Sequence, residues 1–279
     1  MSSNRTVSCI SFVDARHARV AARFQREASK FSFFDYVKIF SETDLDPGFV
    51  ATLGPRLSPS VRGFGYWAWK PQVILQTMRA REDGDIILYA DGGCRLNHRG
   101  VARLRFYIDK VAGSEVGVLG FQSRFPEKHW NKGDLLSLFG FYDSPAVLDS
   151  GQVIGGVVLI KVCEGSRQLV NDWRRTFMED FSRIDDSQSL VPNHSGFRGH
   201  RHDQSIFSLL AKSRGAVLLS ASEELEQSRF SSLREPFPIH ARRDWPGHAS
   251  RKLRVRLRVV RGRVDLQIAM WRRQISKWQ

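Results

Sequence analysis

Apolar and polar positions alternate along this chain with two different periods, and the switches between them mark out its elements. Val7 to Val13 (VSCISFV) is a short apolar run rich in β-branched residues and predicts a strand. Helical spacing follows from Ala15 to Ser29, where Asp14 can serve as the cap. Tyr36 to Phe40 (YVKIF) predicts a second strand, and strand, helix, strand at this spacing implies a βαβ unit and a parallel sheet. A loop rich in proline and glycine, Gly54 to Gly65, leads to Pro71 at an expected helix start, and Gln72 to Arg81 continues that helix until Asp83 and Gly84 end it. Ile86 to Ala90 is continuously apolar, as a central strand covered on both faces must be. Further strands are expected at Val116 to Phe121, Val153 to Lys161 and Ala216 to Ser220, with helices at Val101 to Val111, Ser166 to Phe181 and Gln204 to Lys212. Such alternation predicts an α/β fold.

Composition narrows the class without changing that picture. The 279 residues are 42% hydrophobic and 26% charged, which suits one large globular domain or a domain with an appendage. No run approaches the roughly 20 apolar residues of a membrane span, and the N-terminal residues lack the apolar core of a signal peptide, so a cytoplasmic protein is expected. Cys9, Cys94 and Cys163 are too far apart in sequence for a zinc motif and odd in number, which makes free thiols the expectation.

Charge divides the chain unevenly. The net charge is +14, and residues 251–279 carry ten Lys or Arg against the single acid Asp265. The expected organisation is therefore a domain over residues 1–248 and a basic tail over residues 249–279. On a helix, Leu253, Leu257, Val260, Val264, Ile268, Trp271, Ile275 and Trp278 would share one face, with arginines opposite. That pattern suits an anionic membrane surface, and hence the inner face of the cytoplasmic membrane. Arg254 to Val259 also alternates with period two and Gly262 weakens a helix, so a β-ribbon remains an alternative. A basic tail also fits nucleic acid, although no recognised nucleic-acid motif accompanies it.

Five short clusters carry candidate chemistry. The apolar strand ending at Ala90 runs straight into Asp91-Gly92-Gly93. A carboxylate at the open carboxyl end of a strand can meet a cation or diphosphate, and glycines let such a group come close; an acid capping a tight turn reads equally well. In GFGYWAWKP (63–71), Tyr66, Trp67 and Lys70 can stack a base or sugar and neutralise phosphate, or serve as core and cap. HWNKGD (129–134) holds Trp130, Lys132 and Asp134 ahead of an apolar helix whose positive end Asp134 also suits. GHRHDQSIF (199–207) crowds His200, Arg201 and His202 against Asp203 and Gln204 at a helix start. PFPIHARRD (236–244) offers His240 as a metal ligand and Arg242 or Arg243 as a phosphate clamp.

Taken in order, Ser11-Phe-Val-Asp14, Gly65-Tyr-Trp-Ala-Trp-Lys-Pro71, Leu88-Tyr-Ala-Asp-Gly-Gly-Cys94, Trp130-Asn-Lys-Gly-Asp134, Gln152-Val-Ile-Gly-Gly156 and His200-Arg-His-Asp-Gln-Ser205 with His240 resemble a family of bacterial glycosyltransferases. These are of the GT-A, nucleotide-diphospho-sugar transferase type associated with capsule and lipopolysaccharide assembly, and the likeness spans about Val7 to Arg243. It implies a GT-A-like α/β fold with a mostly parallel central sheet flanked by helices. It further implies sugar transfer from a nucleotide-diphospho-sugar to a glycan or lipid-linked acceptor. Asp91 matches the first acid of the Asp-x-Asp element that meets a divalent cation, Mn2+ or Mg2+, and Gly93 stands where the second acid would be, leaving His240 to help complete the shell. Ser11 and Asp14 would hold the nucleotide. Lys70, Arg242 and Arg243 would face the phosphates, with Gly92, Trp130, Lys132 and His202 among the donor-binding residues and Gln152 between donor and acceptor. Asp203 and Gln204 resemble an acid-amide pair beside the anomeric carbon of retaining enzymes; an inverting enzyme would need Asp134 or Asp203 as base. A non-catalytic binder of sugar nucleotides or glycans is the alternative.

Overall fold

The computed structural model describes residues 5–223 and 237–241; the basic tail, together with Arg242 and Arg243, lies outside the described residues. Six strands form the main sheet: β1 (Val7–Phe12), β2 (Tyr36–Phe40), β3 (Ile86–Ala90), β5 (Val118–Pro126), β6 (Gly151–Lys161) and β7 (Val217–Ser220), in the order β2-β1-β3-β6-β5-β7. Two short strands, β4 (Arg95–Leu96) and β8 (Ile239–His240), pair separately. The helices are α1 (Ala18–Ala28), α2 (Pro47–Leu53), α3 (Gly63–Tyr66), α4 (Trp69–Arg79), α5 (Val101–Ala112), α6 (Gly133–Leu138), α7 (Pro145–Leu148), α8 (Glu164–Glu179) and α9 (Asp203–Ser213).

Strand alternation sorts the core into two layers. Ile87 and Tyr89 on β3 join Ile10, Val73, Ile74, Trp173 and Phe207, so α4, α8 and α9 cover that face. Ile86, Leu88 and Ala90 point the other way, toward Phe24 and Ala28 of α1 and Leu104, Tyr107 and Val111 of α5. Each such large side chain contributes about 1.5–3 kcal/mol of burial, and the continuous apolar run in β3 is the requirement of a strand covered on both faces. The α/β expectation therefore holds, with a mostly parallel sheet.

One strand departs from the parallel rule. β6 runs antiparallel to both β3 and β5, whereas β1 with β2, β1 with β3 and β5 with β7 are parallel. In the β3–β6 register Ala90 lies opposite Val157, and the Asp91 N–H donates to the Gly156 carbonyl at 2.8 Å. The reversed strand therefore carries its Gly155-Gly156 pair past the rim where β3 ends.

Two boundaries shift for local reasons. α4 begins at Trp69, two residues ahead of Pro71, because amides in the first helical turn have no acceptor within the helix and a proline there removes nothing. β5 continues past Phe121 to Pro126 through register shifts against β6, which the polar residues of that stretch conceal.

Candidate active site

A left-handed turn delivers the lysine of the aromatic cluster. Gly63, Phe64, Gly65, Tyr66 and Trp67 take φ of 60°, 53°, 89°, 54° and 61° in succession. Glycine accepts such angles freely, and a Cβ at Gly63 or Gly65 would in addition come within 2.5 Å of Trp67 or 2.8 Å of Leu57. Phe64, Tyr66 and Trp67 have no such freedom, and each costs about 1–2 kcal/mol in this region. Packing holds them there. Phe64 is buried, the Trp69 indole N–H donates to the Gly63 carbonyl at 3.0 Å, and the Trp69 ring stacks on Phe12 at 4.0 Å. His202 (φ 58°) is the remaining non-glycine residue of positive φ among the described residues, and its ring packs against Tyr66 at 4.9 Å and Trp67 at 5.5 Å. Strain of this kind collects at functional sites.

Lys70 then sits in the first turn of α4, where the positive end of the helix dipole disfavours a cation. Two carboxylates offset that cost. Its Nζ lies 2.7 Å from Asp203 Oδ2 and 3.4 Å from Asp91 Oδ1. Asp203 opens α9, its carbonyl accepting the buried Trp173 indole N–H at 3.0 Å. Tyr89, two residues before Asp91 on the same side of the strand, donates its hydroxyl to Asp91 Oδ1 at 2.6 Å.

Burial differs within this group and sets its electrostatics. Lys70 and Asp203 are almost fully enclosed, while the Asp91 side chain is 38% exposed. Burial pushes the Asp203 carboxyl up to about 6 despite its lysine. Burial also pulls at Lys70, but Asp203 and Asp91 outweigh it and hold the ammonium above its ordinary value. Burial, and then the neighbouring Asp91 charge, push the Tyr89 hydroxyl well up. At neutral pH the group is an ammonium between two carboxylates, with Tyr89 as a neutral donor. The Asp203 contact is an ion pair, since Oδ2 accepts no hydrogen bond of regular geometry.

An amide network borders the ion pair. Gln204 Nε2 donates to Gln152 Oε1 at 2.6 Å, and Gln204 Oε1 accepts the Gly155 N–H at 3.2 Å. Arg201 lies over the Trp130 ring at 3.8 Å and reaches Gln152 Oε1 at 3.5 Å. Ser205 ties these pieces together, its hydroxyl donating to the Trp130 carbonyl at 2.9 Å and accepting the Arg201 N–H at 3.1 Å. A Cβ at Gly155 would come within 3.3 Å of Gln204, and one at Gly156 within 3.0 Å of Asp91 Oδ2. Lys70, Asp91, Asp203, Gln204 and Gln152 thus converge at one rim of the sheet.

No protein-family model and no curated protein matches the sequence. Among solved structures, mouse xyloside xylosyltransferase 1 shares 11% identity over 87% of this chain and 99% of that chain, at a TM-score of 0.46. The galactosyltransferase LgtC, in complex with donor and acceptor sugar analogues, shares 11% over 84% of this chain and 86% of that chain, at 0.47. GlyE of Streptococcus pneumoniae shares 13% over 88% of this chain and 57% of that chain, at 0.43. The likeness is one of architecture, and no residue role is taken from it.

Several expected site residues have other work. Both Asp134 oxygens accept loop amides, from Leu190 at 2.8 Å and Val191 at 2.7 Å, which makes this acid a pin for that loop. The Lys132 ammonium donates to the Ser182 carbonyl and the Ser187 hydroxyl at 2.7 and 3.0 Å, fastening the neighbouring loop. Asp14 caps a short 3-10 turn and pairs with Arg16 and His17, and Ser11 is fully buried in β1. The room at Gly92 is filled by Val13, as a Cβ would come within 2.5 Å of it, and the space beside Gly155 and Gly156 is taken by Gln204 and Asp91. His202 is buried with its Nδ1 donating to the Ile184 carbonyl at 2.7 Å, and burial pushes the imidazole toward its neutral form. Tyr89 received no role in the sequence reading, and Arg201 only a place in the crowded turn before Asp203. Strand alternation gave a signal for Tyr89, whereas the stacking of Arg201 on Trp130 had none.

The described residues at this rim do not fit a divalent cation. Asp91 supplies one carboxylate, whose Oδ1 already serves Tyr89 and Lys70, and Gly93 adds no ligand. Asp203 faces the lysine. His240 lies on β8 opposite Arg95, and no group of three metal-type side chains occurs among the described residues.

Proposed function

We propose that this chain is a glycosyltransferase that takes a sugar from a nucleotide-diphospho-sugar and passes it to a glycan or lipid-linked acceptor in surface polysaccharide assembly. The observation that carries the reading is the Lys70 ammonium fixed between Asp91 and Asp203, beside the Gln204–Gln152 pair, at the carboxyl end of β3. Ligands of open α/β sheets bind at that end. Cleaving the bond from sugar to diphosphate leaves negative charge on the departing group, and a fixed positive charge favours that state without reorganising. Lys70 and the N-terminus of α4 point the same sign of charge at one place.

Retention of anomeric configuration is the stereochemistry this arrangement favours. Asp134 spends both oxygens on the 190–191 loop, and Asp203 is held by Lys70, which leaves neither as a free base. Gln204, anchored by Gly155 and Gln152, can instead orient the reacting sugar.

The basic residues of 249–279 complete the proposal by holding the enzyme at the cytoplasmic membrane, where a lipid-linked acceptor would be. No helix among the described residues is long and apolar enough to cross a membrane. Purified protein screened against UDP-, GDP- and CDP-sugars is expected to release nucleotide from at least one of them, and Asp91→Asn to lose that release. Tight nucleotide binding without turnover on any donor or acceptor would make the chain a sugar-nucleotide binder instead.

A further inference from the structure

We infer that the donor site works without a divalent cation, with the Lys70 ammonium as its resident positive charge. The inference rests on the donor-site reading above and goes beyond it by naming what stands beside Asp91 where a metal ion would.

Three independent features support it. Lys70 is 3% exposed, its Nζ lies within 3.4 Å of a carboxylate directly after β3 and a second on α9, and it is placed at the end of α4 that least favours a cation. A buried lysine needs such partners to stay charged, and two at once hold it on the spot. The carboxylate that a metal would need is the same one this ammonium already neutralises. A dication bound to Asp91 would stand beside Lys70 and repel it. Tyr89 then adds a neutral donor to Asp91 Oδ1, which removes much of what remains of that oxygen's capacity as a ligand. Finally, the strained turn of residues 63–67 spends conformational energy to bring Lys70 to this position, which a lysine merely capping a helix does not require.

The full chain, dialysed against chelator, decides the matter. Affinity for UDP, GDP and CDP by calorimetry is expected to stay within about twofold between chelator and excess Mn2+. Mn2+ titrated into the protein with bound nucleotide is expected to keep its free-ion spin-resonance signal. In Lys70→Ala the two carboxylates lose their shared cation, so this variant is expected to bind Mn2+ where the parent does not, while Lys70→Arg stays free of it. Nucleotide binding or turnover that falls at least about tenfold in chelator and returns with Mn2+ would overturn the inference and leave the donor-site reading standing. Failure to bind any nucleotide under either condition would sink both. Should Lys70→Ala not fold, as judged by circular dichroism, the parent protein measured in chelator and in Mn2+ suffices to uphold or overturn the inference.

Discussion

Two buried lysines each face acid in this molecule, and their surroundings could hardly differ more. Lys212 on α9 meets the fully buried Glu127 at 2.6 Å and donates further to the Ser150 hydroxyl at 2.6 Å and the Gly151 carbonyl at 2.9 Å. Glu127 in turn accepts from Ser208 and, at 2.6 Å, from the Asn131 amide. Glu127 and Lys212 both have their partners there, and burial leaves Lys212 below its ordinary pKa despite the glutamate. Lys70 has two carboxylates, no regular hydrogen bond to either, and one of them partly open to solvent. The first cluster is closed and welds β5, β6 and α9 together. The second is left short of partners at a sheet rim, and that shortage is what a ligand can fill. Burial of charge alone does not separate a strut from a site; the unspent capacity does.

That contrast can be broken by exchanging the consequences. Lys70→Ala is expected to lower sugar-nucleotide turnover by about 10²–10³-fold, the scale of losing one fixed electrostatic group, with modest loss of stability because Asp203 can take up a proton. Lys212→Ala is expected to do the reverse, destabilising by about 3–5 kcal/mol because a buried glutamate loses its cation, with turnover per folded molecule unchanged. Matching losses of activity and thermal stability in both variants would erase the distinction. Next in size, Asp91→Asn is expected to cut turnover by about a hundredfold while the melting temperature scarcely moves, since this side chain is partly solvated.

A pH profile sharpens the comparison further. Asp203 is raised from 3.8 to about 6, so its charging opposes folding: the stability it lends is complete below 3.8 and is lost as pH rises toward 6. Melting temperatures of the parent, compared with those of Asp203→Asn, are expected to fall across that interval by an amount corresponding to about 3 kcal/mol. Turnover should show an acid limb with a midpoint near 6, absent from whatever activity Asp203→Asn retains. The smallest effect on chemistry is expected from deleting residues 249–279, which should weaken binding to anionic vesicles in sedimentation assays while leaving hydrolysis of soluble donor within about twofold.

The elements were legible because burial wrote them into local pattern. A strand covered on both faces must be apolar throughout, as Ile86 to Ala90 is, and an amphipathic helix must repeat every three to four residues, as α5 and α8 do. The chemistry-bearing residues were legible in part for the same reason, since an acid directly after such a strand either caps a turn or faces a ligand. Which of them do chemistry was another matter. Asp134 and Asp203 both open helices after a glycine- or histidine-bearing turn, and sequence gives no means of telling that one pins a loop and the other faces a lysine.

By itself the sequence determined the α/β class, the order of the main-sheet strands and their long helices, and the gathering of Asp91, Lys70, Asp203 and Gln204 into conspicuous short motifs, because period and composition respond to burial within a few residues. Tertiary structure alone decided that β6 runs backwards past Asp91, that a left-handed turn carries Lys70 between two acids distant in sequence, and that Lys132 and Asp134 are spent on loops. Those outcomes depend on distances between segments far apart in the chain, and a hydrogen bond or ion pair of about 3 Å leaves no trace in the spacing of residues along it.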